Sequence, residues 1–115
     1  MTDTAPYIFD GHNDLLSRMW RAGGRAATAE MAGGGTGAID LPKARAGGFG
    51  GGFFAVYVSS RAGMDLDALY ELMRQPSYDI ALPDPIDCED ALPIVLGQMA
   101  ILFALEREGH LRVCR

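Results

Sequence analysis

The chain has 115 residues and a formal net charge of −5, with 49% hydrophobic and 22% charged residues. This length allows one small domain with a modest core, and this composition excludes a disordered chain. An acidic balance without a basic patch argues against nucleic acid as a partner, and the lack of any long uninterrupted apolar run predicts no membrane span.

The amino terminus, residues 1–6, lacks the basic start and apolar segment of a secretory signal. We therefore expect a cytoplasmic location. Cys88 and Cys114 stand in no recognisable spacing, which predicts ordinary thiols instead of a disulfide framework.

A short apolar run, Tyr7 to Phe9, predicts a first strand buried on both faces, and Asp10-Gly11 is expected to re-aim the backbone after it. His12 and Asp14 follow two residues apart. In an extended backbone such residues project to the same side. An imidazole and a carboxylate aimed at one point are ligands for a divalent metal ion, so both are candidate metal ligands.

A helix is predicted directly after this motif, with Asp14 or Asn13 as its cap and Gly23-Gly24 as its end. Its apolar residues share one face: Leu15, Leu16, Met19 and Trp20. Two interpretations therefore remain open. His12 and Asp14 either bind a metal, or form a turn in which Asp14 caps the helix and His12 only donates a hydrogen bond.

Residues 25–38 are rich in Ala and Gly and end in Gly33-Gly34-Gly35-Thr36-Gly37. They lack the lysine and following helix of a phosphate-binding loop, which favours a mobile surface loop. Asp40 then predicts the cap of a short helix, with Pro42 in its first turn and Gly47 beyond its end.

Residues 50–58 predict a second strand that is covered on both faces, because they are almost continuously apolar after three glycines. The glycines would let a neighbouring backbone approach closely. Ser59, Ser60 and Arg61 follow the end of this strand, where α/β folds place their chemistry; they either face a ligand or form an ordinary loop.

Two further helices are predicted, a short one over residues 65–73 and a long one from Asp87 to Gly109, separated by a proline-rich connection. The long helix is expected to turn one apolar stripe to the core: Leu92, Val95, Leu96, Met99, Leu102 and Phe103. His110, just past this helix, is interpreted as a cation at a helix end and not as a ligand.

Strand and helix alternate twice, which is the pattern of βα units that build a parallel sheet. Two strands cannot complete such a sheet, so we expect the chain to be the beginning of a longer α/β protein.

Two segments resemble one enzyme family. The stretch 9–15, F-D-G-H-N-D-L, is similar to the opening signature of the renal (membrane) dipeptidase family of zinc metallopeptidases, and residues 39–58 are similar to its next block. The resemblance implies a metal-dependent hydrolase-type (β/α)₈ TIM barrel, of which residues 1–115 would supply the first two βα units and stop before the third strand.

The same resemblance implies hydrolysis of dipeptides by a hydroxide that two zinc ions activate, with His12 and Asp14 binding one ion. The family's other metal ligands and its proton-transfer residue have no counterpart here. No catalytic residue is therefore predicted in this chain, which should be inactive alone. The implied partner is a dipeptide substrate, without nucleic acid or membrane, and the complete enzyme could be a homodimer.

Two other functions stay open. The chain could be a truncated structural or interaction fragment without catalysis. It could also be a small α/β module that binds an anionic ligand through its Gly-rich loop.

Overall fold

The computed structural model describes residues 6–60 and 65–115, so Arg61, one of the three residues predicted to follow the second strand, lies outside the described residues. The elements in chain order are β1 (Ile8–Asn13), α1 (Leu15–Arg21), a 3₁₀ helix (Gly24–Ala32), α2 (Leu41–Ala46), β2 (Phe49–Phe54), α3 (Leu66–Met73) and α4 (Cys88–Arg107).

The two strands form a parallel pair, as predicted, with Ile8 opposite Phe49 and Asn13 opposite Phe54. The expectation that the backbone turns at Asp10-Gly11 is wrong, since both residues lie inside β1. Instead, the pairing with β2 is irregular, because its register shifts between Ile8 and Phe9 and again between Asp10 and Asn13. Strand β1 therefore stays extended as far as the metal-ligand candidates.

The glycines of β2 allow the close approach that their clustering predicts. A Cβ atom on Gly52 would lie 3.0 Å from Cβ of Asp10, and one on Gly50 would lie 2.8 Å from Cβ of Tyr7. Both distances are tighter than ordinary carbon contacts. Larger residues at these positions would push the strands apart.

The strands are not covered on both faces by the described residues, contrary to prediction. Phe9 is 63% exposed and Phe53 is 67% exposed, and their rings meet edge to face with centroids 5.2 Å apart. Strand β2 is also shorter than predicted, because regular pairing ends at Phe54, close to the point where β1 gives way to α1.

The core lies between α1, the 3₁₀ helix and α4. It consists of the buried side chains Leu15, Leu16, Met19, Ala27, Met31, Ile101 and Leu105. The prediction of a surface loop over residues 25–38 is thus wrong for its first half. The 3₁₀ helix buries Ala27 and Met31, and the following residues 33–38 remain irregular.

Helix α4 follows its predicted bounds closely but turns a different face inward. The buried residues are Gln98, Ile101, Ala104 and Leu105, whereas most of the predicted stripe, including Leu96 (55%) and Phe103 (42%), is exposed. By length and composition alone, α4 could cross a membrane. A core helix meets the same criteria, and the inward face of α4 packs on α1 and the 3₁₀ helix.

The shorter helices begin where the sequence predicts. Asp40 caps α2 by accepting the amide of Lys43 (2.9 Å), and Asp65 caps α3 by accepting two amides. At the end of α2 it is Gly48, not Gly47, that adopts the left-handed conformation (φ 68°). The turn into β2 therefore depends on Gly48.

Candidate metal centre

His12 and Asp14 meet at the carboxyl end of β1. The imidazole Nε2 lies 3.5 Å from a carboxylate oxygen of Asp14, and the two side chains are 67% and 60% exposed. The extended backbone of β1 through Asn13 accounts for this convergence, because it sends alternate side chains to the same side. The two residues singled out as candidate ligands are thus brought together.

The residue between them, Asn13, is buried and fully engaged. Its amide nitrogen donates to Asp10 (2.9 Å) and to the carbonyl of Phe53 (3.3 Å), while its side-chain oxygen accepts the amide of Leu15 (3.2 Å). Asn13 thereby ties β1 to β2 and satisfies the first amide of α1.

Asp14 occupies the cap position of α1, but its side chain accepts no hydrogen bond from the helix. The alternative in which Asp14 caps the helix therefore does not describe this structure. Its carboxylate is turned toward His12 instead.

Asp10 supports the motif in a way that the sequence reasoning did not identify. Its carboxylate accepts the backbone amide of His12 (3.3 Å) as well as the side chain of Asn13. The available signal was the spacing of Asp10 and Asn13 around a glycine, since short acidic and amide side chains commonly bond to nearby backbone.

The geometry of the pair fits one metal ion. Two ligands held at 2.0–2.1 Å in a tetrahedral arrangement lie about 3.4 Å apart, close to the separation of Nε2 and the Asp14 oxygen. A nitrogen and a carboxylate oxygen are also ordinary zinc donors. Within residues 6–60 and 65–115, however, no group of three or more His, Cys, Asp or Glu side chains could hold a metal. The pair supplies two ligands only.

Two cavities open near this edge of the sheet. The larger, about 300 Å³, reaches Asp14 and is lined by Asn13, Asp14, Leu15, Arg18, Arg21, Ala38 and Ile39. The smaller, about 140 Å³, is lined by Ser17, Trp20, Arg21, Tyr57, Ser59, Ile94 and Gln98. Ser59, a candidate ligand-facing residue, therefore lines a cavity that α1 and α4 also bound.

The Gly-rich loop presents carbonyl groups, not amides, to its neighbouring lysine. The Lys43 ammonium donates to the carbonyls of Gly35 (3.0 Å) and Gly37 (2.8 Å) and pairs with Asp40 at 3.1 Å. The Lys43 backbone amide, helped by its ammonium group, lowers the pKa of Asp40. The Lys43 ammonium group thus binds the loop carbonyls and Asp40.

Arg18 lies against the other side of the same loop. It pairs with Glu30 at 2.8 Å, and a Cβ atom on Gly37 would come within 2.5 Å of its guanidinium carbon. A larger residue at position 37 would require the Arg18 side chain to move.

The remaining candidates take no part in this site. His110 lies beyond α4, with its Nε2 3.6 Å from Glu108. Cys88 and Cys114 are free and exposed, as predicted for ordinary thiols.

Comparison with known proteins gives a family and two solved relatives. The model of the membrane dipeptidase family, peptidase family M19, matches residues 3–110. A metallopeptidase from Rhodobacter sphaeroides, crystallised with a phosphinate mimic of the dipeptide L-Ala-D-Ala, is 39% identical with a TM-score of 0.75. Dipeptidase AC, a metallopeptidase of family M19, is 40% identical with a TM-score of 0.67. Comparison with curated proteins gives no match.

These alignments cover 96% and 89% of this chain, but only 32% and 28% of the two solved chains. The chain thus spans about a third of the length of its solved relatives and corresponds to a fragment of their fold. The family match covers nearly every residue, including both segments that carry the resemblance. The chain belongs to the membrane dipeptidase family, peptidase family M19.

Proposed function

We propose that this chain forms the first part of a metal-dependent dipeptidase, in which His12 and Asp14 bind one metal ion. The observation that carries the proposal is the convergence of these two exposed side chains at the end of β1, with Asp14 free of the helix cap. An exposed carboxylate at a helix start would ordinarily be used for capping. Here Asn13 accepts the first amide of α1, and the Asp14 carboxylate makes no bond to the helix.

The metal we propose is zinc, in a binuclear site completed by ligands outside this chain. The nitrogen and oxygen donors of the pair suit zinc. When bound, such ions would make a water molecule acidic enough to attack a peptide carbonyl at neutral pH. The metallopeptidase names of both solved relatives support a metal, whichever element it is.

The residues of this chain would position the metal ion and would not themselves carry out the reaction. His12 and Asp14 would fix the position of the ion relative to β1. Asp10 and Asn13 would hold those ligands in place, because they tie the backbone of the motif to itself and to β2. We assign the proton transfer to no residue here, in line with the prediction of no catalytic residue.

We further propose that the complete fold is a (β/α)₈ barrel, with this chain as its first two βα units in a single domain. The exposed faces of Phe9 and Phe53 support this, since apolar surface of this kind is normally covered. The parallel order of β1 and β2, each followed by helices, is the repeating unit of such a barrel.

The substrate we propose is a dipeptide. Support comes from the names of the relatives, one a dipeptidase and the other crystallised with a dipeptide mimic. A cytoplasmic location and a homodimer remain predictions.

No specific observation supports either of the alternative functions, the anion-binding module or the structural fragment. An anion-binding loop would need free amides and a free cation, but Lys43 is bound by two carbonyls and Asp40. A purely structural fragment would give no reason for the uncapped Asp14 beside His12.

The experiment compares ligand variants with matched controls in the natural protein that contains this chain. His12→Ala and Asp14→Ala should each lower the zinc content and reduce dipeptide hydrolysis by more than about a hundredfold. His110→Ala and Asp79→Ala remove the same residue types elsewhere and should leave both unchanged. Full zinc content and activity in either ligand variant would overturn the assignment.

A further inference from the structure

The hydrogen bonds between the two strands end just past β2. The last bond runs from the amide of Ala55 to the carbonyl of Asn13 (2.9 Å). After Asn13 the chain turns into α1, so β1 offers no further partner. On the side that faces β1, the backbone groups of the residues after Ala55 would therefore have no strand to bond to.

Gln98 of α4 takes the place of that strand. The amide of Tyr57 donates to Oε1 of Gln98 (3.0 Å), and Nε2 of Gln98 donates to the carbonyl of Tyr57 (2.6 Å). Alternate residues of an extended chain present their N–H and C=O groups to the same edge. If the pairing with β1 continued, Tyr57 would therefore be the next residue after Ala55 to bond on that side.

A primary carboxamide is suited to this task because its NH₂ nitrogen donates and its oxygen accepts, as the N–H and C=O groups of a neighbouring strand would. Gln98 is 0% exposed, and both of its polar atoms are satisfied by Tyr57. The neighbouring Gly97 lets the Trp20 ring lie directly on α4. Helix α4 can thereby approach closely enough for the Gln98 side chain to reach Tyr57, beyond the end of β2.

We propose that Gln98 is a positioning residue, which holds the segment that follows β2 in place at Tyr57, beside the His12–Asp14 pair, and so fixes one wall of the substrate site. The end of β2 lies next to the end of β1, since the strands are parallel neighbours. Ser59 and Gln98 also line the same small cavity. The link to substrate rests on the proposed function, whereas the link to Tyr57 does not.

The first test is hydrogen exchange at Tyr57 in the natural protein that contains this chain. Gln98→Leu keeps the side-chain volume but removes both hydrogen bonds, so the Tyr57 amide should exchange at least about tenfold faster. Leu105→Ala serves as the control for lost core packing, because Leu105 is buried on the same helix without contacting Tyr57 by a hydrogen bond. Gln75→Leu, at an exposed glutamine, should change nothing. Unchanged Tyr57 protection in Gln98→Leu would overturn the proposal.

The second test is kinetic. With zinc bound, Gln98→Leu should lower kcat/KM for a dipeptide by roughly tenfold or more, since misplaced site elements reduce rate even at a distance. Leu105→Ala, assayed at a temperature where the folded fraction is equal, should stay within about twofold of wild type. Equal losses in the two variants, or none in Gln98→Leu, would contradict a positioning role. If the wild-type protein cleaves no dipeptide, the proposed function fails, and the exchange data still decide whether Gln98 holds Tyr57.

Discussion

The side-chain oxygen of Asn13 accepts the amide of Leu15, the first residue of α1, at 3.2 Å, while the side chain of the adjacent Asp14 accepts no bond from the helix. Two adjacent residues of one short motif therefore have different roles, one in holding the structure together and one as a candidate metal ligand. Asn13 is buried and structural, whereas Asp14 is exposed and oriented toward His12.

Removing the Asn13 side chain should therefore weaken metal binding although Asn13 is not itself a ligand. Asn13→Ala should lower the free energy of unfolding by about 1 kcal/mol through the lost helix start. It should also lower zinc affinity by roughly tenfold, because the bonds of Asn13 to Asp10 and Phe53, which fix the backbone beside Asp14, are lost. Zinc titration of the two proteins measures the difference.

The matched control is Asp65→Ala, which removes the cap of α3 far along the chain from the motif. It should cost similar stability and leave zinc affinity unchanged. A wild-type zinc affinity in Asn13→Ala would show that Asp14 keeps its orientation without help.

Gly97→Ala should destabilise the protein despite the better helix propensity of alanine. The new Cβ atom would lie 2.7 Å from Cε3 and Cη2 of Trp20, which forces the ring or the helix to move. Overpacking outweighs the gain of helix propensity, for a net loss of about 1–2 kcal/mol. Urea denaturation measures it. In a Trp20→Leu background the same change should be neutral or stabilising, and an equal loss in both backgrounds would refute the steric explanation.

Stability should depend on pH through Asp40. Its pKa lies below the ordinary value of 3.8, mainly because its carboxylate accepts the Lys43 amide. A carboxyl group with a lowered folded pKa stabilises the protein fully above its ordinary pKa, and this contribution disappears as pH falls through the folded pKa. Melting temperatures of wild type and Asp40→Asn should differ at pH 6 and converge in strong acid. Asp79→Asn controls for the lost charge, and parallel curves for wild type and Asp40→Asn would contradict the prediction.

Inorganic phosphate should not bind the Gly-rich loop. The Lys43 ammonium already has three oxygen partners there, and the carbonyls of Gly35 and Gly37 would repel an anion. Millimolar phosphate should therefore leave the melting temperature unchanged in wild type and in Lys43→Met. A phosphate-dependent rise that Lys43→Met abolishes would revive the anion-binding function.

Local sequence signals predicted the starts of α1 to α4, because helix caps depend on short-range chemistry, and the alternation of strands and helices predicted the parallel pairing. Asp40 and Asp65 cap their helices as their residue types suggest. Glycine clustering in β2 likewise indicated a close backbone approach. The proximity of His12 and Asp14 followed from the alternation of side chains in an extended strand alone.

Features set by tertiary packing were not predictable in this way. Helix α4 is apolar around most of its circumference, so its periodicity could not distinguish the Leu96 face from the Ile101 face. The sequence did not predict a buried glutamine. The two hydrogen bonds of Gln98 to the backbone of Tyr57 explain why it is buried. The 3₁₀ helix was mistaken for a loop because its Ala-rich sequence is weakly patterned. Ala27 and Met31, four residues apart, were the available signal.

The pairing of Ile8 with Phe49 also has a consequence for folding during synthesis. Roughly forty residues separate the two strands, so closing this loop costs entropy before any bond between them forms. Helix α1, with seven residues, is too short to be stable alone, and β1 must wait for β2. The Asn13 contact with Phe53 must wait as well. The orientation of Asp14 is therefore set late, and a nascent chain that stops before Phe53 would carry His12 and Asp14 without the strand that holds them in place.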